Sequence, residues 1–184
     1  RDHGRMLSTF IRQPFRTGTV VPSSAGLAEL MVADMGLASA DTVVELGPGT
    51  GAITSALIDH GGEQKRLVLV EYNPSFCSLL RDRYPQAKVV QGDAYALRAS
   101  LDKVLDAPAS AVISGLPLVT KPMLTRLKLI RDAFAALAPG APFVQFTYSV
   151  APPIPKSLPG VSTEASERIW MNLPPARVWV YRED

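Results

Sequence analysis

A short glycine-rich stretch decides the fold of this chain: Val43-Val44-Glu45-Leu46-Gly47-Pro48-Gly49-Thr50-Gly51. An apolar strand runs here into a glycine turn, and a helical pattern begins at Ala52. Because glycine adopts positive φ and lacks a Cβ, a ligand can lie against the main chain of such a turn. Glu45 suits a cation, and S-adenosylmethionine carries a cationic amino group and a sulfonium. The stretch therefore predicts methyl transfer, with the cofactor held by Glu45, Gly47, Gly49 and Gly51.

The same turn also fits a dinucleotide-binding fingerprint. Gly47, Gly49 and Ala52 satisfy G-x-G-x-x-G/A, and Glu71 follows the turn by about 20 residues, where either cofactor needs an acid for its ribose. Pro48 removes a backbone donor that a pyrophosphate needs, which favours S-adenosylmethionine. A nicotinamide or flavin site and a purely structural turn are the alternatives.

Residues at later strand ends complete the predicted cofactor site. Glu71 is predicted to accept hydrogen bonds from the ribose hydroxyls, and Tyr72 to lie against the adenine ring. Asp93, in Gln91-Gly92-Asp93-Ala94, is predicted to hold the adenine amino group. Each has a structural alternative: a solvated acid for Glu71, a packed ring for Tyr72 and a helix cap for Asp93. Two more residues complete the predicted set, Ala94 and Ser114.

Strand and helix patterns alternate along the chain. Strands are predicted at 42–46, 67–70, 87–91, 111–114 and 142–148, and helices at 52–60, 74–83 and 123–137. A proline-rich loop at 150–160 precedes a predicted hairpin of strands at 168–172 and 177–181. This order predicts one α/β domain over 1–184, with a mostly parallel Rossmann-like sheet, helices on both faces and a carboxyl-terminal antiparallel hairpin, as in class I methyltransferases.

Composition excludes several classes of protein. The chain has 184 residues, 47% of them hydrophobic, one cysteine, two histidines and a formal net charge of +2. These counts predict a globular domain without an internal disulfide or a metal site, and the small basic excess argues against folded RNA as a partner. Because neither a membrane span nor a signal peptide is visible, we expect a cytoplasmic protein. The first residue is Arg1 and not methionine, so we expect a truncated or a processed amino terminus.

The fourth predicted strand leads into a candidate acceptor loop, Ser114-Gly115-Leu116-Pro117-Leu118. Class I enzymes that methylate adenine resemble one another here in an Asn or Asp, then Pro, then an aromatic residue that stacks on the flipped base. This chain has Gly115 in place of the amide and Leu118 in place of the ring. Nucleic acid is therefore not expected, although the glycine motif is similar to that of the ribosomal RNA adenine N6-dimethyltransferases.

Three blocks of sequence resemble the bacterial phospholipid N-methyltransferases. They are residues 45–51, residues 114–118 and Phe10-Ile11-Arg12-Gln13-Pro14-Phe15-Arg16-Thr17-Gly18-Thr19-Val20-Val21-Pro22-Ser23-Ser24. The last block carries the specificity, because many methyltransferases share the glycine motif. The resemblance spans most of the chain. It implies successive methylation of phosphatidylethanolamine toward phosphatidylcholine, with S-adenosyl-L-homocysteine as product, by an enzyme bound peripherally to the cytoplasmic membrane.

The amino-terminal segment 1–24 agrees with docking on a membrane. Met6, Leu7, Phe10 and Ile11 are spaced to share one helical face, and arginines flank them. A basic and apolar helix of this kind favours anionic lipid surfaces. We therefore predict that the segment contacts the membrane and the lipid phosphate through Phe10, Arg12, Phe15 and Arg16. The alternative is a lid helix that packs across the domain and closes the cofactor pocket.

The acceptor chemistry requires an uncharged amine, whereas a primary ammonium is mostly protonated near neutral pH, as lysine is. The carbonyls of Ser114 and Gly115 are predicted to accept the remaining hydrogens of the amine, and the Tyr148 hydroxyl to hold the amine or the phosphate. No strong general base is visible, so catalysis is expected from positioning and fixed dipoles. The competing functions are RNA adenine dimethylation, sensing of S-adenosylmethionine without turnover, and methylation of a soluble amine.

Overall fold

A computed structural model describes residues 23–33, 35, 37–38, 40–166 and 175–184. The helices are α1 (Ser23–Ala33), α2 (Ala52–Asp59), α3 (Pro74–Arg83), α4 (Leu97–Leu101) and α5 (Met123–Ala136). The strands are β1 (Val43–Leu46), β2 (Leu67–Glu71), β3 (Lys88–Gln91), β4 (Ala111–Ser114), β5 (Phe143–Thr147), β6 (Val161–Ala165) and β7 (Arg177–Glu183).

The seven strands form one sheet in the order β3-β2-β1-β4-β5-β7-β6. Strands β1 to β5 run parallel, whereas β7 is antiparallel to both β5 and β6. The predicted Rossmann-like fold with a closing antiparallel hairpin is confirmed. Strand order reverses between β1 and β4, and the crevice at such a switch point is where open α/β sheets bind ligands.

Helices cover both faces of the sheet because side chains on both faces of its central strands are mostly apolar. Every residue of β1, β2 and β4 is buried, as expected for parallel strands with two covered faces. One face packs against α4 and α5 around Leu46, Val112 and Phe143. The other face, which includes Leu69 and Ile113, packs against α1, α2 and α3.

The carboxyl-terminal hairpin includes a strand that the sequence did not predict, β6. β7 pairs with Val161–Ala165, and the predicted strand at 168–172 lies outside the described residues. The β6 strand is short, polar and partly exposed at the sheet edge, so it lacks the apolar alternation that marks a half-buried strand.

Two helices were not predicted from the sequence, α1 and the short α4. Residues 1–22 lie outside the described part of the chain, and with them the predicted membrane contacts of Phe10, Arg12, Phe15 and Arg16. Among the helices that the structure describes, none combines the length and the apolar character needed to span a bilayer.

Candidate functional site

The glycine turn after β1 has the backbone that its composition predicts. Gly47, Gly49 and Gly51 have φ of 68°, 56° and 89°, a backbone region that residues other than glycine rarely adopt. The Gly47 N–H donates to the Val70 carbonyl at 2.9 Å, which ties the turn to the end of β2. The turn ends where α2 begins, so its backbone lies at the switch point of the sheet.

Two of the three glycines leave room for the protein's own side chains. A Cβ on Gly47 would stand 2.7 Å from Leu116 Cδ2, and one on Gly51 would stand 2.9 Å from a ring carbon of Tyr84. The Tyr84 hydroxyl also donates to the Gly51 carbonyl at 3.2 Å. Because glycine has no side chain, the turn can pack closely against the end of α3 and against the acceptor loop. The sequence pattern did not reveal this role.

Glu45 is fully buried beneath the turn. Its Oε2 accepts a hydrogen bond from Thr54 Oγ1 at 2.6 Å, and its Oε1 has no hydrogen-bond partner among the described residues. The pKa of this carboxyl is raised to about 8, chiefly by burial; the hydrogen bond from Thr54 lowers it and the nearby Glu71 charge raises it. A buried carboxyl oxygen without a partner is costly, and a cationic donor would satisfy it.

Glu71 holds two loops together at the end of β2. Its Oε2 accepts from the Gly49 N–H at 3.0 Å, and its Oε1 accepts from the Asn73 N–H at 2.8 Å. A carboxylate has about four acceptor sites, so both oxygens retain capacity for hydroxyl donors. Tyr72, next to Glu71, is 76% exposed, so its ring is not part of the core.

Asp93 caps the turn that follows β3. Its Oδ1 accepts from the Tyr95 N–H at 2.9 Å at the start of a 3₁₀ turn, Ala94–Ala96. The cap predicted as the structural alternative is therefore present. It uses one acceptor site of an exposed carboxylate and leaves the others available, while Ala94 beside it is buried.

The acceptor loop packs directly on the glycine turn. The Gly115 N–H donates to the Leu46 carbonyl at 2.9 Å, and a Cβ on Gly115 would stand 3.0 Å from the Gly47 carbonyl oxygen. Ser114 is buried, and its Oγ accepts from the Leu116 N–H at 3.3 Å. The hydroxyl of Ser114 thus shapes the loop.

Gln145 on β5 is a loop-positioning residue that sequence reasoning missed. It is fully buried, and its Nε2 donates to the carbonyls of Leu116 and Phe146, each at 2.8 Å. The signal for it was a single amide inside the otherwise apolar run Phe143-Val144-Gln145-Phe146. Buried polar groups are usually hydrogen-bonded, so this amide pointed to a partner from elsewhere in the chain.

Replacing Gln145 by methionine is expected to lower the free energy of unfolding by about 1–3 kcal/mol, because the Leu116 carbonyl loses its buried donor. The loop then shifts, and kcat should fall by about tenfold while the Kd for the cofactor stays within about twofold. Denaturant unfolding and steady-state kinetics measure the two effects. Gln86→Met, at an exposed glutamine, is the control, and equal kcat values for the two variants would contradict the role of Gln145.

Tyr148 stands at the end of β5 and is 36% exposed. Its ring packs edge-on against Phe146, with the ring centroids 5.5 Å apart, and burial raises the pKa of its hydroxyl. The phenol is therefore neutral across the physiological range and is a hydrogen-bond donor at the same sheet edge as the acceptor loop.

The site residues fit a ligand that combines a cation with hydroxyl groups. Glu45 offers an unpartnered buried oxygen, and the carboxylates of Glu71 and Asp93 retain acceptor capacity at the ends of the next two strands. These three groups are acceptors, which disfavours a pyrophosphate and suits the amino group, ribose and adenine of S-adenosylmethionine. Among the described residues, no cluster of His, Cys, Asp and Glu could hold a metal ion.

Comparisons of the sequence with known proteins point to two groups of enzymes. A family described as ribosomal RNA adenine dimethylase matches residues 25–115. An ornithine lipid N-methyltransferase from Singulisphaera acidiphila is 33% identical over 150 residues, covering 80% of this chain and 78% of that protein. Ribosomal RNA small subunit methyltransferase A from Chlorobium chlorochromatii is 35% identical over 95 residues, covering 51% of this chain and 35% of that protein. The chain thus matches about a third of that ribosomal RNA enzyme.

Solved structures share the fold at low sequence identity. TrmN from Thermus thermophilus has a TM-score of 0.70 at 18% identity. The match covers 87% of this chain and 49% of TrmN. An O-methyltransferase from Bacillus cereus in complex with SAH has a TM-score of 0.67 at 14% identity, with 98% of this chain and 90% of the other covered.

Proposed function

This chain belongs to the class I S-adenosylmethionine-dependent methyltransferases, and from that premise we propose that it methylates the amino group of a membrane lipid. Phosphatidylethanolamine and its partly methylated forms are the proposed substrates, with phosphatidylcholine as the end product. Ornithine lipid is the second aminolipid to test, because a relative that shares most of the chain is an ornithine lipid N-methyltransferase.

The acceptor loop supports a lipid amine over an adenine base. The Cβ position of Gly115 is 3.0 Å from the backbone oxygen of Gly47, so an amide side chain at that position would require the acceptor loop or the glycine turn to shift. Leu118, at the position of the stacking ring, is 1% exposed and packs in the core. A flipped adenine needs hydrogen bonds to its edge and a stacking partner, and this loop supplies neither group.

The cofactor is proposed to contact the residues that end three neighbouring strands. Glu45 pairs with its amino group, the turn of Gly47, Gly49 and Gly51 lies along it, and Glu71 accepts from its ribose hydroxyls. Asp93 accepts from the adenine amino group. The remaining proposed contacts are the exposed ring of Tyr72, Ala94 and the backbone of Ser114.

The proposed chemistry depends on an uncharged amine held at the acceptor loop. S-adenosylmethionine, when bound, would supply a methyl group on its sulfonium. The nitrogen lone pair would take that methyl group, S-adenosylhomocysteine would leave as the neutral thioether, and the proton lost from nitrogen would pass to solvent water. The carbonyls of Ser114 and Gly115 accept the hydrogens that remain on nitrogen and orient its lone pair. The Tyr148 hydroxyl donates to the lipid headgroup. Positioning and fixed dipoles then provide the rate enhancement.

The enzyme is proposed to act at the cytoplasmic face of the membrane, bound peripherally to anionic lipid. Its amino-terminal segment supports this location through Phe10, Arg12, Phe15 and Arg16. Apolar residues at the interface and cations above it are the two attractions that hold an amphipathic segment on such a surface.

Transfer of label from S-adenosylmethionine tests this function. Vesicles with phosphatidylethanolamine, vesicles with ornithine lipid and a folded ribosomal RNA are offered in parallel. We expect label in lipid, and a loss of at least about a hundredfold in Glu71→Ala, which removes charged acceptors from the proposed ribose contact. Label in the RNA alone would contradict the proposal and establish the adenine alternative, and the two lipid arms decide the headgroup.

A further inference from the structure

Large apolar side chains are exposed in two segments at one edge of the sheet, the start of α5 with the loop before it and the loop after β5. Leu124 is 81% exposed and Met123 is 42% exposed at the start of α5, while Val150 is 74% exposed and follows Tyr148 just after β5. We call Met123, Leu124, Tyr148 and Val150 the apolar rim. Because β4 and β5 are parallel, the loops after their carboxyl ends lie on the same side as the acceptor loop.

A single arginine holds the two loops of the rim together. Arg126 donates through Nε to the Lys121 carbonyl at 2.7 Å and through its two other nitrogens to the carbonyls of Val119 at 2.6 Å and Pro153 at 3.2 Å. The second loop is anchored further by Ile154, which is fully buried and hydrogen-bonded to the Tyr181 hydroxyl. These hydrogen bonds therefore fix the two segments that carry the apolar rim relative to each other.

The charge on these loops is of one sign. Residues 115–128 and 148–160 contain Lys121, Arg126, Lys128 and Lys156 and no acidic residue, and only Lys128 of these four forms an ion pair with a carboxylate, that of Asp132, among the described residues. By contrast, the neighbouring ends of β2 and β3 carry Glu71 and Asp93. Exposed aliphatic side chains among cations complement a surface that is anionic outside and apolar beneath, which describes an anionic lipid bilayer.

We propose that the apolar rim docks on an anionic bilayer, with Leu124 and Val150 entering the headgroup region and the acceptor loop turned toward the membrane. The proposal deepens the proposed function and rests on it. It adds a second contact that is independent of the amino-terminal segment. RNA binding uses aromatic stacking and cations, so it leaves the exposure of two aliphatic side chains unexplained.

Environment-sensitive fluorophores on single introduced cysteines test the docking without any need for turnover. The native Cys77 is buried, so Leu124→Cys and Val150→Cys can be labelled selectively in the full chain. Leu79→Cys is the matched control, because Leu79 is also exposed but lies on α3, on the opposite face of the sheet. We expect a blue-shifted, brighter emission at positions 124 and 150, and not at 79, when phosphatidylglycerol vesicles are added.

A double variant measures how much the rim contributes to docking. Leu124→Ser with Val150→Ser is expected to raise the Kd for phosphatidylglycerol vesicles at least about tenfold, because two aliphatic side chains no longer leave water. Leu79→Ser should bind as the unmodified chain does. The KM for vesicle lipid should rise in the double variant, while the rate on dispersed short-chain phosphatidylethanolamine stays within about twofold.

The outcomes separate the two proposals. If the protein co-sediments with the vesicles and the emission at positions 124 and 150 does not change, the docking proposal is overturned. A double variant that binds vesicles as tightly as Leu79→Ser also overturns it. Emission that responds to folded RNA and not to vesicles overturns it in favour of a nucleic-acid surface. Bright probes together with no methylation of any lipid leave the docking in place and overturn the proposed function.

Discussion

Replacing Glu45 by glutamine is expected to weaken S-adenosylmethionine binding by about tenfold to a hundredfold and to remove its pH dependence. The carboxyl is fully buried and keeps one oxygen without a partner among the described residues. A buried hydrogen bond to a charged group contributes about 1.5–3 kcal/mol, and glutamine retains the shape but not the charge. Isothermal titration with the cofactor measures the loss.

The pH dependence of cofactor binding follows from the raised pKa of Glu45. Burial holds that pKa at about 8, so in the free protein the carboxyl is mostly protonated at neutral pH. A cationic ligand favours the ionised form, and binding must then release a proton. We expect the affinity of the unmodified protein to increase as pH rises toward 8, and Glu45→Gln to bind equally at each pH. Equal slopes in the two proteins would contradict the contact with Glu45.

The same residue makes fold stability depend on pH with a definite sign. Its pKa rises from 4.5 in the unfolded chain to about 8 in the folded one, so the folded state binds more protons between those values. As pH rises through that window, the free energy of unfolding therefore falls by about 1.4 kcal/mol for each pH unit. Glu45→Gln should flatten this slope. Asp106→Asn, at a side chain that is 98% exposed, should leave the slope unchanged in denaturant unfolding.

Replacing Gly115 by alanine is expected to have the second largest effect. The new methyl group would lie 3.0 Å from the Gly47 carbonyl oxygen, a backbone atom that cannot rotate away. Either the acceptor loop or the glycine turn must then move. Overpacking of this kind costs about 1–3 kcal/mol of stability, and a small shift of reacting groups lowers kcat by about a hundredfold.

A matched glycine keeps this prediction testable. Gly26 lies in α1, and a Cβ there meets no atom within 4 Å. Gly26→Ala is therefore expected to raise the free energy of unfolding by about 0.4–1 kcal/mol with unchanged kcat. Thermal unfolding and methyl transfer to lipid are measured on both variants. A Gly115→Ala enzyme with full kcat would show that the two loops do not need their close contact.

Local signals in the sequence were sufficient for the scaffold of the site. Mostly apolar runs marked β1, β2 and β4, since parallel strands covered on both faces are nearly continuous in apolar residues. The glycine turn and the acids Glu45, Glu71 and Asp93 were visible because each lies at or within two residues of the carboxyl end of a strand. Parallel strands bring those ends to one edge, so the alternating pattern and the glycine motif together were enough to predict that these residues gather at one edge of the sheet.

Contacts between distant parts of the chain decided the rest. Gly47 makes room for Leu116 and Gly51 for Tyr84, while Gln145 holds the Leu116 carbonyl across two strands. The partner of β7 proved to be the polar edge strand β6, and the exposed Leu124 is apolar in sequence like any core leucine. Such features depend on which residues packing brings together. Periodicity describes one segment at a time and carries no information about the segment that will lie against it.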